Sequence, residues 1–211
     1  NPNIKLLIEK PIDSDIGSAE KLLPYKENIF VGHIERYNPV VLKLKELIEG
    51  HEILNFKISR LGLYKPTKSN NSVMLDLMIH DIDIIRFLLG DFDVRYNLKK
   101  TLGDKNNTTY ALLSFLYNDI LFSLESSWIH PRKERQIEIL TPDFFYAGDL
   151  IEQTLTKHTL HFDMKERVKV RKLEPLKEEI YNFVNFIRSK PSRRCSLGEA
   201  IDNLKTLRSI E

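Results

Sequence analysis

Asp76 and His80 interrupt the otherwise apolar stretch LDLMIHDIDIIRFLLG, residues 75–90. On a helix, residues i and i+4 share one face, so the two side chains project together. A carboxylate beside an imidazole raises its basicity, and a histidine titrating near neutrality suits general-base work. The pair also reads as a core histidine satisfied by its neighbouring aspartate, and the residues alone leave both readings open. A metal centre, or a metal-dependent hydrolase built on it, needs more ligands than this pair supplies. No third ligand is signalled, so no metal is expected.

Two further stretches hold side chains suited to ligands. In LIEKPI, Lys10 follows Glu9 at the end of an apolar run and precedes Pro11. The ends of strands are where α/β sheets gather ligands, and proline is the residue that takes a cis bond cheaply. A surface lysine at a turn is the plain alternative. In VGHIERYNP, Arg36 and Asn38 stand between a strand and a helix. A guanidinium there can grip a phosphate or carboxylate through two parallel bonds. Asn38 serves equally well as the cap of the helix that Pro39 begins.

These groups need elements to hold them. Residues 4–8 read as a buried strand, 14–27 as a helix disturbed by Pro24, and NIFVGHI as another strand. NPVVLKLKELIEG reads as a helix with Asn38 as cap, Pro39 in the first turn and Gly50 as the stop. EILNFKISRLGLY is a strand, and residues 73–89 form the helix of Asp76 and His80, stopped by Gly90. Strands are then expected near 92–102, 108–117, 119–129, 133–140 and 148–164, with short connections that favour antiparallel neighbours. Two helices close the chain, the second opened by Ser196 with Glu199 three residues on. The order predicts an α/β (α+β) fold: the remnant of a parallel unit, then a large, mostly antiparallel sheet with helices on one face. YALLSFLY is apolar on both alternating faces, so a second subunit or the chain itself must cover the other side.

The 211 residues carry 32 basic and 30 acidic side chains for a net charge of +2. That balance gives no argument for nucleic acid or an anionic membrane as partner. Cys195 is the single cysteine, which excludes an internal disulfide and fits a reducing cytoplasm. No apolar run is long enough for a bilayer span. The chain opens at Asn1 without an initiator methionine and enters a strand almost at once, as though cut from something longer.

Taken in order, EKP, VGHIERYNP and LDLMIHDID resemble the glucose-fructose oxidoreductase / inositol dehydrogenase (Gfo/Idh/MocA) family, and most of all its UDP-sugar dehydrogenases. EPLKEEIYNFVNFI and SLGEAIDNLKTL are similar to the family's closing helices. The resemblance implies a division into residues 1–27, the end of a dinucleotide-binding Rossmann domain, and 28–211, a catalytic and oligomerisation domain. It implies NAD or NADP as cofactor of the complete protein, facing Glu9 and Lys10, and a sugar or UDP-sugar substrate. It also implies a homo-oligomer, dimer or tetramer, formed through the sheet face. Lys10, Asp76 and His80 would be catalytic, with His80 taking the proton as hydride leaves the carbinol carbon. Arg36, Asn38, Arg60 and Tyr64 would touch substrate, while Asp81 and Asp83 would be structural. Two departures stand out. Ser72 replaces a customary glycine, and the eight glycines contain no G-x-G-x-x-G fingerprint. The alternative is a non-catalytic oligomerisation or ligand-binding module left by truncation.

Overall fold

The structure, a computed structural model, describes residues 4–63, 72–94, 96–103, 108–162 and 164–210. Strands β1 (Leu6–Glu9) and β2 (Ile29–Gly32) form a parallel pair in which Glu9 lies opposite Gly32. Helix α1 (Ile16–Glu20) and a 3-10 turn over Leu23–Asn28 connect them. Asp15 caps α1 by accepting from the Ser18 N–H at 2.7 Å. The single helix expected over 14–27 is therefore broken. Pro24 at the start of the second piece has no N–H to continue an α-helical ladder. The division expected after residue 27 falls between two strands of one small sheet.

A 3-10 turn, Ile34–Tyr37, leads into α2 (Pro39–Ile48). Asn38 caps α2 as its position suggests, accepting from Val40 N–H at 3.1 Å. Gly50, with φ of 75°, takes the chain out of the helix in a conformation that favours glycine.

The large sheet has eight strands in the order β10-β9-β8-β7-β3-β6-β5-β4. They are β3 (Asn55–Leu63), β4 (Tyr96–Leu102), β5 (Tyr110–Tyr117), β6 (Ile120–Ser127), β7 (Ile129–Leu140), β8 (Phe144–Asp149), β9 (Thr154–Thr159) and β10 (Met164–Val168). Neighbours are antiparallel except β3 and β6, which run parallel. The strand expected over 148–164 is in fact the end of β8, all of β9 and the start of β10. The chain reverses near Gln153, which adopts a φ of 53°.

Phe115, Phe122, Phe56, Ile139 and Tyr146 are successive cross-strand partners along one row of this sheet, and all are buried. Burying side chains of this size stabilises by about 1.5–3 kcal/mol each. Helix α2 lies against the same face: a Cβ on Gly148 would sit 2.6 Å from Cγ1 of Val40. Phe92, just past the next helix, stacks on Phe115 with ring centroids 6.0 Å apart.

That helix is α3 (Ile79–Leu89), preceded by a π-helical turn over Met74–Met78. Every residue from Ile79 to Arg86 is buried, as befits a helix covered on all sides. Its sheet side carries Asp81, bonded to Arg60 of β3. Its opposite side carries Asp83 and Arg86, both bonded to Asn203 of α5 (Leu197–Ile210). Ser196 and Glu199 form the expected reciprocal cap of α5, with bonds of 2.8 and 3.2 Å. Helix α4 (Pro175–Ile187) brings Phe183 and Phe186 onto Phe30 of β2. No helix among the described residues is long and apolar enough to cross a membrane.

Candidate active site

The turn after β1 and the π-helical turn before α3 meet at one place. Lys10 Nζ donates to the backbone carbonyl of Asp76 at 2.6 Å and to its Oδ1 at 3.3 Å. The other oxygen, Oδ2, accepts from the indole N–H of Trp128 at 3.3 Å. Trp128 lies between β6 and β7. The Lys10–Pro11 bond is cis. π-Helical turns are rare and concentrate where a helix must redirect side chains. Here the wider turn faces both Asp76 oxygens toward donors from outside the helix. Ser72, the departure from glycine, fits the start of this turn. Its hydroxyl accepts from Met74 N–H at 3.2 Å, and its carbonyl from Asp76 N–H at 3.1 Å.

His80 is buried one turn further on. Burial holds its pKa well below the ordinary histidine value, and Lys10, Arg60, His33 and Arg135 push the same way. The imidazole is therefore neutral at neutral pH and a weaker base than the Asp76 spacing predicted, because the Asp76 carboxylate is turned to Lys10 and Trp128 instead. Its Nδ1 has no hydrogen-bond partner. Burial also lowers the pKa of Lys10, with Asp76 opposing that shift. The site is thus two tunable groups, an amine and an imidazole, around one anchored carboxylate. That arrangement can take up, hold and pass on a proton.

The other expected contacts divide. Arg36 is buried and spends each of its nitrogens inside the protein. Nε and Nη2 reach Asp83 at 2.7 to 3.1 Å, while Nη1 reaches Glu199 at 2.9 Å and the Arg194 carbonyl at 3.1 Å. Asn38 caps α2 and donates to the Leu150 carbonyl at 2.9 Å. The polar atoms of both are engaged within the protein, those of Arg36 toward α3 and α5 and those of Asn38 toward α2 and Leu150 at the end of β8. Arg60 bonds Asp81 at 2.8 Å and Glu35 at 2.7 Å, yet its Nη2 keeps no partner. Glu9 lies over Gly32, where a Cβ would meet its Oε2 at 3.1 Å. Tyr64 lies outside the described residues.

Trp128, Glu35, Arg135 and His33 were not singled out from the sequence, although the first is the only tryptophan and two belong to the VGHIERYNP motif or its flank. Burial pushes the Arg135 pKa down to about 10, with Arg60 adding to the effect. Asp81 and Asp83, expected to be structural, anchor the two arginines.

His33, Asp83 and Cys195 bring three donor atoms within 4.8 Å of one another. Nitrogen, carboxylate and sulfur together would suit zinc. The site does not fit one well. Asp83 already accepts from Arg36 through both oxygens and from Asn203 at 2.8 Å. The guanidinium lies where a cation would need room. Burial raises the Cys195 pKa well above the usual thiol value, so the group stays protonated.

The match to known proteins follows the same elements. Residues 59–142, from β3 through β7, match the GFO/IDH/MocA C-terminal domain. Over that stretch the chain is similar to the C-terminal domain of the Gfo/Idh/MocA family. UDP-N-acetylglucosamine 3-dehydrogenase of Acidithiobacillus ferrooxidans is 28% identical over 200 residues, covering 87% of this chain and 63% of the relative. Inositol 2-dehydrogenase of an Arthrobacter species is 29% identical over 98 residues, covering 42% of this chain and 29% of that protein. The chain thus spans less than two thirds of the first relative's length. Among solved structures, the A. ferrooxidans enzyme superposes with a TM-score of 0.85 over 98% of this chain and 69% of that one, at 24% identity. The aldose-aldose oxidoreductase of Caulobacter crescentus gives 0.83 over 99% and 69% at 10% identity. At such identities the superpositions speak to the fold alone.

Proposed function

We propose that this chain forms the substrate-facing part of a nicotinamide-dependent oxidoreductase that oxidises a secondary hydroxyl of a sugar or nucleotide sugar to a ketone. The observation carrying this reading is the convergence of Lys10, Asp76, Trp128 and buried, neutral His80 at one end of the sheet. The UDP-N-acetylglucosamine 3-dehydrogenase relative supports the sugar class.

His80 takes the hydroxyl proton through the ring nitrogen facing substrate, while the carbinol carbon gives up hydride. Lys10 stands at the reacting oxygen, positioned by Asp76, and Trp128 fixes Asp76 in turn. Arg60 Nη2 offers a donor to substrate oxygen. NAD or NADP would be held beside Glu9 and Lys10 and would supply the hydride acceptor. Glu9, whose carboxylate lies over Gly32, and Lys10 at the strand end are the residues that would face the nicotinamide end of such a cofactor. Nothing in this sequence fits the pyrophosphate, since no glycine-rich fingerprint is present. The alternative reading is a non-catalytic ligand-binding or oligomerisation module.

The test is reduction of NAD or NADP by the whole protein with UDP-N-acetylglucosamine and with free sugars. His80→Ala should lower turnover about 10²–10⁴-fold. Near-normal turnover in that variant overturns the reading.

A further inference from the structure

Asp76 offers two carboxylate oxygens, and each takes a donor from a different element. Lys10 Nζ lies 3.3 Å from Oδ1, and the indole N–H of Trp128 donates to Oδ2 at 3.3 Å. The ammonium also donates to the backbone carbonyl of Asp76 at 2.6 Å. The last torsion of an aspartate is soft, with broad wells. The Asp76 side chain is one third exposed, so it is the two donors that fix where its oxygens point.

Trp128 is aimed from its backbone outward. Its own N–H donates to the Thr109 carbonyl at 2.9 Å, and the adjoining Thr108 carbonyl accepts from Val73 N–H at 2.8 Å, where the π-helical turn begins. Two neighbouring residues ahead of β5 thereby hold both the indole and the turn that carries Asp76. The ring is buried in the core. A buried indole N–H takes an acceptor, and here it takes the carboxylate that also faces Lys10. Among the groups that favour the proton on Lys10, Asp76 counts most and Glu9 of β1 less. Burial opposes that proton most strongly, and Arg60 of β3 adds to the opposition. His80 and His33, both held neutral by burial, lie in the field of the same ammonium.

We propose that Trp128 is a positioning residue for Lys10, acting through Asp76: its indole N–H holds Oδ2 so that Oδ1 stays on the ammonium. Without that bond the carboxylate turns about its soft torsion, and the ammonium keeps only the backbone carbonyl. Burial and Arg60 then act on Lys10 with less to offset them, and it gives up its proton at lower pH. Trp128 therefore sets the upper pH limit of the reaction, a role that needs no contact with substrate. This inference rests on the proposed place of Lys10 at the reacting oxygen.

Two replacements at position 128 of the whole protein separate the bond from packing. Benzothienylalanine keeps the shape of the indole and lacks the N–H, whereas Trp128→Phe loses both the N–H and part of the ring. A ¹³C titration of the lysine side chains, with Lys10→Arg to assign the signal, reads the Lys10 pKa without turnover. Both replacements should lower it by about half a unit. The basic limb of the kcat/KM profile should move to lower pH with it. kcat should fall about 3–10-fold, the rate equivalent of one side-chain hydrogen bond, with KM near the parent value. In an Asp76→Asn background the same replacements should shift Lys10 no further, because the path runs through Asp76. An unchanged Lys10 pKa in the benzothienylalanine protein overturns the proposal. So does a shift that persists in the Asp76→Asn background, or a raised KM with kcat intact. His80→Ala run beside them keeps the two readings apart. If that variant turns over normally the proposed function fails, while the titration still decides whether Trp128 governs Lys10.

Discussion

Lys10 and Asp76 are 66 positions apart in sequence, yet the lysine ammonium lies 2.6 Å from the aspartate's backbone oxygen and 3.3 Å from Oδ1. One side chain thereby ties the end of the parallel pair to the entry of α3. Burial lowers the lysine pKa and Asp76 opposes it. Removing the carboxylate charge should lower it further. Under the proposed function, Asp76→Asn should move the basic limb of the pH–rate profile to lower pH. Turnover should fall about 10–100-fold, the rate equivalent of a charge-assisted hydrogen bond worth about 1.5–3 kcal/mol. A basic limb left in place would show that Asp76 does not govern Lys10.

Arg36 should behave as a frame rather than a ligand contact. Arg36→Lys keeps the charge but cannot fork onto Asp83 while also reaching Glu199 and the Arg194 carbonyl. Breaking such a buried network costs about 3–5 kcal/mol. Urea unfolding should show a loss of that order, with saturating substrate restoring no more than it adds to the parent protein. Full stability combined with weakened substrate binding would return Arg36 to the ligand side.

Glu179 of α4 is fully buried with neither carboxylate oxygen partnered. Burial, with Glu9 adding to it, pushes its pKa up to about 7 from an ordinary 4.5. A carboxyl raised on folding contributes stability that is present below its unfolded pKa and lost as pH rises through the folded one. The contribution of Glu179 to stability should therefore decline between about pH 5 and pH 8 by about 1–3 kcal/mol. Glu179→Gln should remove that slope and be the more stable form at the upper end. Denaturant titrations at both pH values check it, and parallel slopes in the two proteins would refute it.

The uncovered face of the large sheet carries Leu98, Leu116 and Leu121, exposed by 54%, 50% and 44%. Leu116 and Leu121 are direct cross-strand partners, and Leu98 shares their side of the sheet. An apolar face of this kind suits a second subunit. Sedimentation should show a dimer or larger species, and Leu116→Glu with Leu121→Glu should yield a monomer of unchanged secondary structure. A parent protein that is monomeric at high concentration would contradict this.

Periodicity and turn residues revealed α2, α3, the cap of α5 and the alternating strands, because those signals are local. Asn38, Pro39 and Gly50 each do at their own positions what their chemistry suggests. The fate of Arg36 was not legible, because the partners that occupy it, Asp83, Glu199 and the Arg194 carbonyl, are brought close by tertiary packing. The π-helical turn was hidden for a similar reason. Its apolar spacing reads as ordinary helix, and only Lys10 and Trp128 arriving from elsewhere show why Asp76 needs a wider turn. The strand expected over 148–164 was misjudged because Gln153 reverses the chain without glycine or proline to mark it.

β3 lies between β6 and β7 in the finished sheet, although it precedes both in the chain. Its first residue pairs with Leu121, 66 positions later. During synthesis this largely buried strand leaves the ribosome with neither neighbour made, and the clamp of Arg36 on Glu199 closes only when α5 emerges. Pairings of such long range form slowly and leave unpaired strand edges open to self-association. The order of the sheet therefore sets an interval in which the nascent chain needs shelter, and makes the last helix the part whose arrival ends it.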